Sequence, residues 1–145
     1  MYHESHPFSV GKSIEIKPCR DIAIFSMGSI LPEVVSAALK LQERHINARV
    51  INVHTLKPID KEAVIKAASE TRILFSVEEH TVFGGLGGII AEILAETGAG
   101  VKLKRIGLPD SFAAGYGSVQ DVRRMNCLDS DSIFTVIYKS IEGEI

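Results

Sequence analysis

Residues 73–94 constrain the fold more than any other part of the chain. An apolar run over 73–77 is followed by Glu78-Glu79-His80 and then by four glycines within five residues. Helical spacing comes next in four apolar residues: Ile89, Ile90, Ile93 and Leu94. The segment is therefore predicted to be a strand, a glycine-rich turn and a helix. In an open α/β sheet such a turn lies at the carboxyl edge of the strands, where ligands and partners usually bind.

The same alternation of strand and helix extends through most of the chain. Strands are predicted at four mostly apolar runs: 21–27, 49–53, 73–77 and 101–106. Helices are predicted over 32–44, 61–70, 86–96 and 118–125, with a last one from Asp129 or Ser130 onward. Connections of helical length between buried strands indicate parallel strands covered on both faces. The pattern therefore predicts an α/β fold, a three-layer α/β/α sandwich.

The first twenty residues differ from the rest of the chain. Pro7, Gly11 and Pro18 interrupt them, and only residues 13–16 alternate like a short strand. We predict an N-terminal arm or linker over residues 1–20 and one domain over residues 21–145. A length of 145 residues suits a single domain.

Composition excludes several classes of function. The net charge is −2 with both signs interspersed, which argues against nucleic acid as the main partner. There is no apolar run near the ~20 residues of a membrane span, and no basic-then-apolar signal peptide opens the chain. Cys19 and Cys127 are too few and too far apart for a disulfide framework or a CxxC metal site. We expect a cytoplasmic protein with neither a nucleic-acid nor a membrane partner.

Two glycine motifs approach nucleotide-binding signatures, and both fail. Gly11-Lys12-Ser13 is similar to the end of a P-loop, but His6 stands where the first glycine belongs. Gly85-Leu86-Gly87 opens a dinucleotide fingerprint, but its third glycine position is Ile90. A bulky side chain there would hold the helix away from the strand. Neither motif predicts a nucleotide site.

The pair Glu78-Glu79 is the main candidate for chemistry. Adjacent residues of a strand point to opposite faces, so the two carboxylates cannot both face one substrate unless the backbone bends. One of them is expected to accept hydrogen bonds from glycine amides or to cap the following helix. His54 ends the second predicted strand, on the same edge as His80, but two histidines alone do not make a metal site. With no nucleophile motif in the chain, we predict a binding or assembly module.

Four segments resemble the C-terminal domain of transketolase in both order and spacing. They are DIAIFSMGS (21–29), ARVINVHTLKPID (48–60), VEEHTVFGGLG (77–87) and RIGLPDSF (105–112). The likeness extends from about Phe8 to Ile141 and is strongest to the C-terminal section of bacterial split transketolases. Similar domains form the C-terminal part of 1-deoxyxylulose-5-phosphate synthase and of the beta subunits of 2-oxoacid dehydrogenases. These enzymes remain alternatives for the parent.

The resemblance implies a fold for this chain, and it implies which functions belong to other domains of the parent enzyme. It implies a mostly parallel five-stranded sheet with one antiparallel strand, which we assign to the 13–16 region or to an edge. The parent enzyme would transfer two-carbon ketol units between sugar phosphates. Its thiamine diphosphate and Mg²⁺ would be bound by the N-terminal and central domains, or by a subunit that carries them. This chain would hold no cofactor, metal ligand or catalytic residue, would be inactive alone, and would join a homo-oligomer, a dimer in the family.

The positions of the predicted strand ends and of the glycine turn place the interface of this domain at the carboxyl edge. The residues expected to form an interface or ligand edge are Gly28, Ser29, His54, Glu79, His80, Gly85 and Gly87. A free-standing regulatory domain that binds a nucleotide at this same edge is the alternative from a different class.

Overall fold

One five-stranded sheet organises the chain in a computed structural model that describes residues 8–112 and 115–143. Its strands are β1 (Ile14–Lys17), β2 (Ile22–Ser26), β3 (Ala48–Asn52), β4 (Ile73–Thr81) and β5 (Lys102–Leu108). They lie side by side in the order β1-β3-β2-β4-β5, and β1 alone is antiparallel to its neighbour. The predicted mixed sheet is confirmed, and the 13–16 region supplies most of its antiparallel strand.

Helices cover both faces of the sheet. They are α1 (Leu31–Glu43), α2 (Lys61–Glu70), α3 (Leu86–Thr97), α4 (Val119–Met125) and α5 (Ser130–Glu142). Helices α1 and α5 pack on one face, whereas α2 and α3 pack on the other. The short helix α4 lies beyond the carboxyl ends of β4 and β5. The three-layer α/β/α sandwich is therefore confirmed.

The alternation of side chains along β2 explains why both faces are covered. Ile22 and Ile24 belong to the apolar cluster under α1 and α5, whereas Ala23 and Phe25 belong to the cluster under α2 and α3. All four are fully buried. Burial of each large apolar side chain contributes about 1.5–3 kcal/mol, so an uncovered face would leave the sheet unstable.

Local signals begin and end the helices. Asp60 caps α2 by accepting a hydrogen bond from the Ala63 amide at 3.3 Å, and Ser118 forms a capping box with Asp121 at the start of α4. Gly98 ends α3 in the left-handed conformation, at φ 67°. Residues 1–7 of the predicted N-terminal arm lie outside the described residues, and Ile14–Lys17 of that arm belongs to the sheet.

Strand β4 is longer than the sequence predicts. Its predicted end at Val77 is wrong, because pairing with β5 resumes after a register shift and continues to Thr81. The Val82 amide then donates to the Leu108 carbonyl at 3.0 Å. A Cβ at Gly107 would lie 2.7 Å from the His80 carbonyl oxygen, so this close approach requires glycine. The strand predicted over 101–106 accordingly continues to Leu108.

Candidate functional site

The residues predicted to form one edge fall into three groups. Gly85 and Gly87 lie with Glu78 at the start of α3. Ser29 and Glu79 lie together with Arg123, on the opposite face of the sheet. His54 lies against the N-terminal arm. The carboxyl edge therefore holds distinct arrangements of side chains rather than one pocket.

Glu78 caps helix α3 from within β4. Its side chain is 1% exposed, and its two carboxylate oxygens accept hydrogen bonds from the amides of Leu86 at 2.8 Å and Gly87 at 2.9 Å. The N-cap residue of α3 is Gly85, which has no side chain to satisfy these groups. A carboxylate at this position also faces the positive end of the helix dipole. The prediction that one carboxylate accepts from glycine amides or caps the helix is confirmed for Glu78.

Two glycines of the turn make room for this arrangement. A Cβ at Gly85 would overlap the Glu78 carboxylate. A Cβ at Gly87 would overlap Ser76 Oγ and lie 2.8 Å from Arg105 Cγ. A Cβ at the neighbouring Gly88 would have no atom within 4 Å. Glycine is therefore needed for close packing at Gly85 and Gly87 but not at Gly88.

Gly87→Ala and Gly88→Ala form a matched pair of substitutions in the first turn of α3. Gly87→Ala is expected to lower the free energy of unfolding by about 1–3 kcal/mol through overpacking. Gly88→Ala is expected to raise it by about 0.5–1 kcal/mol, because alanine is the better helix former. Urea denaturation of both variants measures the difference. Equal effects of the two substitutions would contradict the packing described for Gly87.

Glu79 points to the other face of the sheet, where it meets Arg123 from α4. Arg123 Nε donates to Glu79 Oε1 at 2.7 Å, and Nη2 donates to Oε2 at 2.9 Å, which makes a bidentate pair. Nη2 also donates to the Ser29 carbonyl at 2.9 Å, and the Ser29 hydroxyl donates to Glu79. The Arg123 side chain is 7% exposed and that of Glu79 30% exposed. The pair is thus largely withdrawn from water.

Glu33 completes a set of four residues that we call the Arg123 network: Ser29, Glu33, Glu79 and Arg123. Arg123 Nη1 lies 3.6 Å from Glu33 Oε1. Glu33 also accepts from the Ser130 amide at 3.0 Å and from Gln120 Nε2 at 3.1 Å. The network therefore ties the end of β4 to the starts of α1 and α5 and to α4. A cavity of about 200 Å³ beside it is smaller than the ~300–1,000 Å³ of typical ligand pockets.

The network changes the ionisation of its members. Hydrogen bonds from Arg123 hold the pKa of Glu79 below its usual value, against an opposing effect of burial, and the Ser29 hydroxyl adds to the lowering. In return, the hydrogen bonds to Glu79 raise the pKa of Arg123. Glu79 is therefore held as a carboxylate, which is unsuited to act as a general acid.

Acidification should weaken this pair. The pKa of Glu79 is lower in the folded chain than the ~4.3 of an unfolded glutamate, so its contribution to stability is complete above that pH and is lost as the pH falls toward the folded value. Glu79→Gln should therefore reduce the slope of the unfolding free energy against pH below about 4.3. Urea denaturation across this range measures the slope. In an Arg123→Met background, where the largest cause of the lowered pKa of Glu79 is absent, the same Glu79→Gln change should reduce the slope less.

The two histidines of the predicted edge are not brought together. His54 follows β3 and His80 lies in β4, and β2 separates these strands, which places their lines about 10 Å apart. The His54 ring lies 4.5 Å from the Phe8 ring, and both of its nitrogens are buried with no hydrogen-bond partner among residues 8–112 and 115–143. His80 is exposed, with Nδ1 2.9 Å from the Thr81 carbonyl oxygen. Gly28, at φ 74°, opens the short 3-10 helix that positions Ser29.

Arg123 and Glu33 are the residues of this region that the sequence did not reveal. Arg123 and Arg124 stand side by side in one short helix, yet the side chain of Arg123 is 7% exposed and that of Arg124 is 74% exposed. The predicted helix 118–125 contains both, but no local pattern tells which arginine faces inward. Glu33 follows Pro32 in the first turn of α1, where an acidic residue is common regardless of partners.

The described residues do not fit a diphosphate and its metal ion. Within residues 8–112 and 115–143, no three His, Cys, Asp or Glu side chains are placed to hold a metal. The helix N-terminus that would suit a phosphate, at α3, is occupied by the Glu78 carboxylate. In the same part of the chain, no helix is long and apolar enough to cross a bilayer.

A family model described as the transketolase C-terminal domain matches residues 11–133. The chain belongs to this family. Among curated proteins, the transketolase C-terminal domain described here is 37% identical to an apulose-4-phosphate transketolase subunit of Actinobacillus succinogenes, over 92% of this chain and 43% of that protein. It is 33% identical to a putative transketolase C-terminal section of Methanocaldococcus jannaschii, over 97% of this chain and 43% of that protein. It is also 34% identical to the 1-deoxy-D-xylulose-5-phosphate synthase of Heliobacterium modesticaldum, over 88% of this chain and 20% of that protein.

Solved structures agree with this assignment. A split-gene transketolase, described as an inactive beta4 tetramer, superposes with a TM-score of 0.84 at 30% identity over 91% of this chain and 43% of that chain. A Pichia stipitis transketolase variant superposes with a TM-score of 0.69 at 18% identity, over 91% of this chain and 18% of its own, and supports the fold alone. The chain spans less than half the length of each of these relatives.

Proposed function

We propose that this chain is the C-terminal assembly domain of a thiamine-diphosphate-dependent transketolase. The parent enzyme would move two-carbon ketol units between sugar phosphates, with cofactor and Mg²⁺ bound by other domains or by a partner subunit. The family match over residues 11–133 carries the proposal. The relative described as a beta4 tetramer supports self-association as part of the assembly.

The engagement of both candidate carboxylates favours assembly over catalysis. The Glu78 carboxylate accepts hydrogen bonds from the amides of Leu86 and Gly87. The Glu79 carboxylate accepts hydrogen bonds from the Arg123 guanidinium and the Ser29 hydroxyl. A general acid or base must be able to reach a substrate proton. Glu78 is buried, and the Glu79 carboxylate is held by Arg123 and Ser29, so both contacts disfavour such a role. In the proposed assembly domain, the Glu78 and Glu79 carboxylates shape the carboxyl edge of the sheet.

The same observation weighs against the nucleotide-binding alternative. A phosphate at the start of α3 would need the Leu86 and Gly87 amides, which already donate to Glu78, and would meet a carboxylate charge. A panel of nucleotides should therefore leave the unfolding temperature of the chain unchanged. A saturable upward shift with any one of them would support the regulatory alternative instead.

A second candidate for the parent is 1-deoxy-D-xylulose-5-phosphate synthase. The similarity at 34% identity to the Heliobacterium modesticaldum enzyme of that name supports it. Supplying the native enzyme that contains this chain with pairs of sugar phosphates, and following the products, separates the two. Transfer between sugars favours the transketolase, whereas formation of 1-deoxy-D-xylulose 5-phosphate favours the synthase.

The isolated 145-residue chain is expected not to bind thiamine diphosphate. The reason is that its described residues offer neither a free helix N-terminus at the glycine turn nor a metal-binding group. Isothermal titration with thiamine diphosphate and Mg²⁺ tests this. Binding at micromolar or tighter affinity would falsify the proposal that the cofactor belongs to other domains.

A further inference from the structure

The direction of β1 fixes the side from which the chain enters the domain. Because β1 is antiparallel to β3, its first residue Ile14 pairs with Asn52 at the carboxyl end of β3. The Gly11 amide donates to Thr55 Oγ1 at 2.9 Å just beyond that end, and the Phe8 ring lies against His54. The described part of the chain therefore begins, at Phe8, on the carboxyl edge of the sheet.

Exposed apolar side chains are concentrated on that same edge. Within residues 8–112 and 115–143, nine large apolar side chains are exposed. Two belong to the arm, Phe8 at 68% and Val10 at 63%. Phe83, in the turn after β4, is 59% exposed and packs under the guanidinium of Arg105, 5.7 Å from its ring centre.

The loop after β5 and helix α4 extend the apolar surface. Phe112 and Tyr116 are 103% and 92% exposed, and Val119 and Met125 of α4 are 63% and 54% exposed. The hydrogen bond from Val82 to Leu108 places the turn that carries Phe83 beside this loop. Gly115 lies so close to Met125 that a side chain there would overlap its sulfur.

We call these seven side chains the carboxyl-edge face: Phe8 and Val10 lie at its β3 side, and the other five lie at its β4 and β5 side. The other two exposed apolar side chains, Leu39 of α1 and Ile65 of α2, lie apart on the outer surfaces of helices. The Arg123 network holds α4 in place beneath the face, since Arg123 joins α4 to the end of β4. Scattered apolar residues are ordinary on a protein surface, whereas a cluster of aromatic, Met and Arg side chains is typical of the centre of an interface.

We propose that the carboxyl-edge face docks the cofactor-binding region of the enzyme, with Phe112 and Tyr116, its two most exposed side chains, as anchors. This inference rests on the proposed function, which supplies that region as the occupant. It is supported by the position of the arm, because the polypeptide that precedes a C-terminal domain would arrive at this edge. A second copy of the chain on this face would have to share it with that polypeptide. Helix faces that carry a single exposed apolar residue offer no comparable surface.

Hydroxyl-radical footprinting of the native enzyme that contains this chain tests the proposal. Phe112, Tyr116 and Met125 should lose their labelling and approach the level of Ile90, which is 0% exposed in the domain itself. Leu39 and Ile65 serve as matched references in the same sample and should label as strongly as they do in the isolated chain. In the isolated chain, Phe112 and Tyr116 should label strongly.

Each outcome decides a different point. Strong labelling of Phe112 and Tyr116 in a native enzyme that retains thiamine diphosphate would overturn the docking face and leave the proposed function standing. A native enzyme without any thiamine diphosphate-binding region would overturn the proposed function itself. Protection that persists in the isolated chain would assign the face to a second copy, against the proposal. As a variant, Tyr116→Asp should release thiamine diphosphate from the native enzyme at a lower temperature, whereas Leu39→Asp should not.

Discussion

Replacing Glu78 by alanine is expected to cost about 2–5 kcal/mol of unfolding free energy, because two buried amide groups lose their acceptor and a cavity remains. The amides are those of Leu86 and Gly87, and no side chain at Gly85 can take over. Against a typical total of about 5–15 kcal/mol, such a loss would threaten the fold. Thermal and urea denaturation of the purified chain measure it.

The matched control for Glu78 is Glu92, an exposed glutamate on the same helix α3. Glu92→Ala should change stability by no more than about 0.5 kcal/mol. Glu78→Gln keeps one acceptor oxygen but turns an NH₂ group toward a backbone N–H, so an intermediate loss is expected. Glu78→Ala as mild as Glu92→Ala would show that water can replace the carboxylate at the start of α3.

Replacing Arg123 by methionine is expected to cost about 2–4 kcal/mol. The substitution keeps much of the buried stem but leaves the Glu79 and Glu33 carboxylates without their shared cation. The loss should be less than for a fully buried pair, since the Glu79 side chain is 30% exposed. Denaturation gives the stability, and hydrogen exchange of the α4 amides reports whether this helix detaches first.

Arg124 provides the matched control for Arg123 within the same helix. Its side chain is 74% exposed, and it lies 3.7 Å from Asp121 in a surface ion pair, so Arg124→Met should cost no more than about 0.5 kcal/mol. Arg123→Lys should recover only part of the loss, because a single ammonium group cannot make the bidentate contact with Glu79. A full rescue by lysine would mean that charge alone, without the fork geometry, holds α4.

The fold could be predicted because its signals are local. Residues such as Ile22 to Phe25 alternate between two apolar clusters, and their continuous apolar character already requires cover on both faces. Helix α2 begins after Asp60 and ends at Glu70, as the capping signal and the apolar spacing indicate. The exception is the end of β4, where a register shift lets polar residues continue the strand.

The candidate site could be predicted only in part, because its decisive contacts are distant in sequence. The opposite directions of Glu78 and Glu79 follow from the period of a strand, and their separate partners agree with it. Arg123 lies 44 residues from Glu79 along the chain. Such a pairing depends on how α4 returns across the carboxyl edge, which neither helix propensity nor apolar spacing encodes.

The two edge strands of the sheet limit the ways in which two copies of this domain can associate. At one side, β1 has only four residues and breaks its register between Glu15 and Lys17. At the other side, β5 carries Lys102 and Lys104 along its length. Edge strands that are short, irregular or rich in lysine are poor templates for pairing with a strand of another molecule. Growth of the sheet from one molecule to the next is therefore disfavoured at both sides, and lasting contacts have to form through loops and helices.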